Sequence, residues 1–66
     1  MCGIYIETEC KNLRELNAQL KREGETWHYR YCGYMMSANG YYERMYIAED
    51  ENGCTYGNYV AIYFGR

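Results

Sequence analysis

The chain has 66 residues, of which 48% are apolar, 18% aromatic and 24% charged, and its net charge is −2. This length predicts a single domain over residues 1–66, because domains run from about 50 to 250 residues. No apolar run approaches the ~18 residues of a membrane span, and no charged segment followed by an apolar stretch marks a signal peptide, so we expect a cytoplasmic protein. The unusual feature is the ten tyrosines.

The chain opens with a predicted strand. Residues 4–9 alternate between apolar and polar side chains, a pattern typical of a half-buried strand. This alternation predicts that Ile4 and Ile6 point inward and that Tyr5 and Glu7 point outward.

A helix is predicted next, over residues 13–23. Asn12 is a favourable N-cap, and Glu15 follows three residues later, as in a capping box. Gly24 is a natural C-terminal stop. The apolar stripe of this helix is formed by Leu13, Leu16 and Leu20.

Three strands are predicted after the helix, over residues 26–36, 41–49 and 56–64. Asn39-Gly40 and Asn52-Gly53 separate them, and Asn-Gly is the strongest short signal for a hairpin turn. The order is therefore βαβββ. We expect an α+β domain in which one helix packs on one face of an antiparallel sheet.

The second hairpin predicts where the tyrosines point. A two-residue loop at Asn52-Gly53 places Met45 opposite Val60 and Tyr46 opposite Tyr59. Aliphatic side chains then collect under the helix, and the other face has no layer over it. The residues predicted for that open face are Tyr42, Arg44, Tyr46, Tyr59 and Tyr63.

The register of the first hairpin is left open by the sequence. A two- or four-residue loop within residues 37–40 turns Trp27, Tyr29, Tyr31 and Met35 to the open face. A three-residue loop turns them toward the helix, because a slip of one residue inverts a strand.

No catalytic, cofactor or metal motif is recognisable. Ser37, His28 and Asp50 are each the only residue of their type, and no nucleophile-elbow sequence surrounds the serine. The cysteines lack the close pairs typical of zinc sites, so we expect no metal, and we expect no cofactor and no enzyme activity. Two disulfides are an alternative, but the missing signal peptide favours reduced thiols. The four cysteines are Cys2, Cys10, Cys32 and Cys54.

An open aromatic face predicts a binding surface, because tyrosine and arginine are enriched at binding hot spots. The acidic hairpin tip, Glu49, Asp50 and Glu51, suggests a basic partner protein. Nine acidic against seven basic side chains argue against nucleic acid. The alternatives are single-stranded nucleic-acid binding through the tyrosines, homodimerisation through the open face, or a purely structural use of the tyrosines.

In size and composition only, the chain resembles the small inhibitors that phages and mobile elements carry against host defences, anti-CRISPR proteins among them. That resemblance implies a non-catalytic protein that blocks a basic, nucleic-acid-binding partner.

Overall fold

The structure is a computed structural model that describes residues 5–37 and 40–65. The predicted order βαβββ and the α+β class are confirmed. The bounds of the helix and of the last three strands lie within two residues of those predicted. Ile4 and Cys2 lie outside the described residues. The elements are β1 (Tyr5–Glu7), α1 (Leu13–Arg22), β2 (Trp27–Met36), β3 (Tyr42–Asp50) and β4 (Thr55–Tyr63).

The sheet has four strands in the order β1-β4-β3-β2. Strands β2, β3 and β4 form an antiparallel meander, whereas β1 runs parallel to β4, with Ile6 paired to Ile62. The expectation of an antiparallel sheet was therefore wrong, and the sheet is mixed. The cause is the connection through α1, which carries the chain from β1 at one edge to β2 at the other and leaves β1 beside the last strand.

The ends of α1 follow from local hydrogen bonds. Asn12 is the N-cap, and its Oδ1 accepts the N–H of Glu15 at 2.9 Å. The carboxylate of Glu15 accepts the N–H of Lys11 at 3.2 Å, one residue before the expected donor. At the other end Gly24 has φ +87, and its N–H donates to a carbonyl of the last turn in a Schellman arrangement. The predicted caps are thus largely confirmed.

The core on the helix side combines the leucine stripe with one face of the sheet. Its buried residues are Cys10, Leu16, Tyr46, Val60 and Ile62, with Ile6, Leu13, Tyr29 and Phe64 packed against them. Met45, Ile47 and Ala61 are also buried, but strand alternation places them on the opposite face. The prediction that Met45 and Ile47 lie under the helix was wrong.

The second hairpin differs from its prediction in two ways. The N–H of Asp50 donates to the carbonyl of Cys54, so the loop has three residues, 51–53, and not two. Farther along, Ala48 pairs with Tyr56 and Tyr46 pairs with Val60, so β4 has two more residues than β3 between these pairs. This irregular part of β4 contains Gly57, whose φ is +79. The two differences leave a net slip of one residue.

This slip divides the predicted tyrosine face. Tyr46 pairs with Val60 on the helix side. Tyr42 and Arg44 lie on the same face, because side chains of one strand face recur every second residue. Tyr59 and Tyr63 alternate with the buried residues of β4 and point to the opposite side. The prediction that Tyr42, Arg44 and Tyr46 lie on the face away from the helix was therefore wrong, because a one-residue slip inverts a strand. The prediction of one face carrying all four tyrosines fails for the same reason.

The first hairpin adopts the three-residue alternative. The N–H of Ser37 donates to the carbonyl of Tyr41 at 2.7 Å, which leaves residues 38–40 between them. Tyr29 pairs with Ala48 and packs on the helix-side core. Trp27 and Tyr31 share its face, whereas Met35 does not, because a bulge between Tyr31 and Gly33 reverses the alternation.

Candidate binding surface

Four tyrosines surround one arginine on the helix side of the β2–β3 hairpin. Tyr34 lies directly opposite Arg44, and Tyr31 lies opposite Tyr46, while Tyr42 precedes Arg44 by two residues on the same face. We call Tyr31, Tyr34, Tyr42, Arg44 and Tyr46 the tyrosine–arginine surface. It retains the three central members of the predicted face and replaces its two β4 tyrosines with two from β2.

The helix is too short to cover this surface. A helix of 10 residues is about 15 Å long, whereas a strand of 10 residues spans about 33 Å. Asn17, near the middle of α1, contacts Tyr29 at 2.9 Å, and Leu13, its first residue, lines a groove with Tyr31. The helix therefore begins level with Tyr31, and the hairpin beyond it has no layer on this side among the described residues.

The rings of the surface form two pairs, one exposed and one partly buried. Tyr34 and Tyr42, which are 66% and 58% exposed, stack at a centroid distance of 5.9 Å with planes 30° apart. Tyr31 and Tyr46 approach to 5.3 Å at 57°. The exposed pair is the end of the surface that projects beyond the helix.

A groove of about 390 Å³ lies where the surface meets the helix, lined by Leu13, Tyr31, Arg44 and Tyr46. Burial raises the pKa of the Tyr46 hydroxyl, the charge of Arg44 opposes that rise, and Tyr31 adds to it. The guanidinium and the two tyrosines thus share one electrostatic environment. Within residues 5–37 and 40–65, Arg44 has no ion pair, so its charge is available to a ligand.

The two β4 tyrosines predicted for the site lie on the face away from the helix, as expected, and so on the side opposite the tyrosine–arginine surface. Tyr59 is 52% exposed there. Tyr63 donates its hydroxyl hydrogen to the carboxylate of Glu43, and its ring lies 5.6 Å from that of Tyr5. Neither ring joins the tyrosine–arginine surface.

Two of the three carboxylates at the acidic hairpin tip bond to other groups of the protein. Glu49 is only 15% exposed and lies 3.3 Å from both His28 Nε2 and Arg30 Nε. Oδ1 of Asp50 accepts the N–H groups of Asn52 and Cys54, each at 2.9 Å. Glu51 is exposed. The tip is therefore mainly a turn held by its own carboxylates.

Sequence reasoning missed Tyr34 as a site residue and left Tyr31 undecided. The available signal was Gly33 within a strand-like segment, since a glycine inside a strand often marks a bulge. With a bulge at that position, Tyr31 and Tyr34 share one face although they are three residues apart. Strict alternation places them on opposite faces.

The described part of the chain contains no group of three or more His, Cys, Asp or Glu residues able to hold a metal. Cys10, Cys32 and Cys54 carry free thiols, and the buried Cys10 thiol donates to Oε1 of Gln19 at 3.0 Å. No helix in the described residues is long and apolar enough to cross a membrane.

Comparison of the chain with protein-family models, with curated proteins and with solved structures finds no match.

Proposed function

We propose that this chain is a non-catalytic module that binds another protein through the tyrosine–arginine surface. The observation that carries the proposal is Arg44 at the centre of four tyrosines. Tyr34 and Tyr42 are exposed beyond the start of α1, whereas Tyr46 is buried against the helix. Tyrosine supplies a large contact area at low entropic cost, and arginine supplies a directional charge.

The balance of charge favours a protein over a nucleic acid. Stacking alone suits single strands, but most of the affinity for nucleic acids comes from phosphate neutralisation by several cations. The tyrosine–arginine surface contains one cation, Arg44, and the whole chain carries a net charge of −2. A protein partner requires no such array of positive charges.

The acidic character of the chain supports a basic partner only in a limited way. Glu49 and Asp50 already bond within the protein, so the hairpin tip offers Glu51 as its free carboxylate. We therefore assign the main contact to the tyrosine–arginine surface. Binding there acts by steric occlusion of the partner, which is the mode of action proposed from the resemblance to small phage-encoded inhibitors.

Site-specific photo-crosslinking tests this function directly. A benzophenone amino acid replaces Tyr34, within the surface, or Tyr59, on the opposite face, and each protein is irradiated in cells of the source organism. We expect a discrete protein adduct from position 34 and none of that size from position 59.

Three results contradict the proposal. If neither position yields a protein adduct, or if position 59 yields the stronger one, the tyrosine–arginine surface is not the contact. An adduct of twice the chain mass at position 34 identifies a homodimer instead of a separate partner.

A further inference from the structure

We infer that the partner adds an extended segment to the outer edge of β2, and that a carboxylate side chain of this segment meets Arg44. The inference rests on the proposed function and specifies the chemistry of the partner at that site. It depends on three features: the open part of the β2 edge, the tyrosines on the same face, and the guanidinium of Arg44, which has no ion pair among the described residues.

The β2 edge is closed at one point and open beyond it. Asn17 occupies the outward backbone groups of Tyr29: its Oδ1 accepts the N–H at 2.9 Å, and its Nδ2 donates to the carbonyl at 3.0 Å. The side-chain amide of Asn17 therefore makes the two hydrogen bonds to Tyr29 that a neighbouring strand would make. Because α1 begins level with Tyr31, it does not cover the part of the β2 edge from Tyr34 to Met36.

The outward backbone groups beyond the helix follow from the ladder pattern. The backbone N–H of Ser37 points towards β3, where it donates to the carbonyl of Tyr41. The backbone groups of successive residues in a strand point to alternate sides, so those of the residue before Ser37, and of every second residue before that, point away from β3. Those positions are Met36 and Tyr34. Together they present two N–H donors and two carbonyl acceptors, enough to pair with a short extended segment.

The side chains at the same positions extend the contact. Tyr34 and Met36 are 66% and 58% exposed, and both lie on the face of the tyrosine–arginine surface. A strand added to the edge therefore places alternate side chains beside these two residues, since side chains of one face recur every second residue. Tyr42 lies one strand farther in, opposite Met36. Apolar side chains fit these positions.

Arg44 selects the charge of the added segment. It lies one strand inside the edge, about 10 Å from an added strand at the usual strand spacing. The long stems of arginine and glutamate bridge that separation together. Because Arg44 has no ion pair among the described residues, a glutamate in the segment gains a charge-assisted hydrogen bond without displacing an existing partner.

Selection from random 12-residue peptides displayed on phage tests the inference. The baits are the wild-type protein and Arg44→Glu, which reverses the charge but leaves the backbone edge in place. We expect the wild type to select peptides with one glutamate among alternating apolar residues, and Arg44→Glu to select lysine or arginine at that position. The selected wild-type peptide should bind Arg44→Gln at least tenfold more weakly.

Backbone methylation of the selected peptide tests strand addition separately. N-methylation at alternate positions that face β2 should abolish binding, whereas methylation at the intervening positions should leave the affinity within twofold. Equal effects at both sets of positions, or selection without a carboxylate, overturn the inference. Displacement of the peptide by a 12-nucleotide oligothymidine also overturns it, in favour of a nucleic-acid surface.

The two proposals fail in distinguishable ways. If position 34 crosslinks to a partner but the peptides show neither feature, the function stands and the mode of recognition is wrong. If position 34 gives no protein adduct, the proposed function itself is wrong.

Discussion

The side-chain amide of Asn17 is bonded at both ends to the backbone of Tyr29, with an N–H···O contact of 2.9 Å in one direction and 3.0 Å in the other. This pair fixes the position of α1 along β2, because both atoms of one amide must meet both backbone groups of one residue. It also protects part of an edge strand, which otherwise presents unpaired groups to other chains.

Asn17→Ala should therefore destabilise the protein by about 1–3 kcal/mol, since it leaves a partly buried donor and acceptor without partners. Urea unfolding measures the change. Arg22→Ala, an exposed change at the end of the same helix, is the control and should cost less than about 0.5 kcal/mol. Equal losses for the two variants contradict the assigned role of Asn17.

The acidic tip offers a second matched comparison. Asp50→Ala should cost about 1–2 kcal/mol of folding stability, because it removes one oxygen that accepts two backbone N–H groups of the turn. Glu51→Ala, at the exposed neighbour, should be nearly neutral. If urea unfolding gives the reverse order, Asp50 does not hold the turn.

The irregular part of β4 predicts a backbone effect at Gly57. A Cβ at this position meets nothing within 4 Å, but φ is +79. Gly57→Ala should therefore destabilise the protein by about 1–2 kcal/mol through left-handed strain alone. Asn58→Ala serves as the control with ordinary φ, since no non-glycine residue among those described has positive φ. A neutral Gly57→Ala in thermal unfolding contradicts the irregular register.

Raised tyrosine pKa values give the stability a dependence on alkaline pH. Burial raises the pKa of Tyr29, with Tyr56 adding to the rise, and burial also raises the pKa of Tyr46. The folded state then keeps protons that the unfolded state loses near pH 10. The contribution is fully present below about pH 10 and is lost as the pH rises through the raised values.

Urea unfolding between pH 8 and pH 11.5 measures this dependence. Tyr46→Phe should flatten the decline, because it removes one of the groups whose pKa is raised in the folded state. An identical decline in the wild type and in Tyr46→Phe shows that the buried hydroxyl of Tyr46 does not contribute.

Local signals in the sequence predicted the elements well, because caps and turns depend on adjacent residues. Asn12 and Gly24 bound the helix as expected. The parallel placement of β1 was not predictable in this way, since no turn connects it to β4. The position of β1 depends on the path of the chain through α1, which connects β1 to β2 at the opposite edge of the sheet.

The candidate site was predicted in part. Arg44 was expected between tyrosines, and Tyr42 and Tyr46 do share its face. These three residues lie on the helix side and not on the opposite face, because of the irregularity around Gly57. The faces of Tyr31 and Tyr34 depend in the same way on the bulge beside Gly33. A single inserted residue reverses alternation, so an error at either glycine exchanges one face for the other.

The most direct test of the central claim is a calorimetric titration of the partner identified by crosslinking. Three proteins are compared: the wild type, Tyr34→Ala with Tyr42→Ala, and Tyr59→Ala. We predict that the double variant raises the Kd by about 30-fold or more, since hot-spot truncations cost about 2 kcal/mol or more in total. Tyr59→Ala should leave the Kd within about twofold. The account is contradicted if the double variant binds like the wild type, or if Tyr59→Ala weakens binding as much.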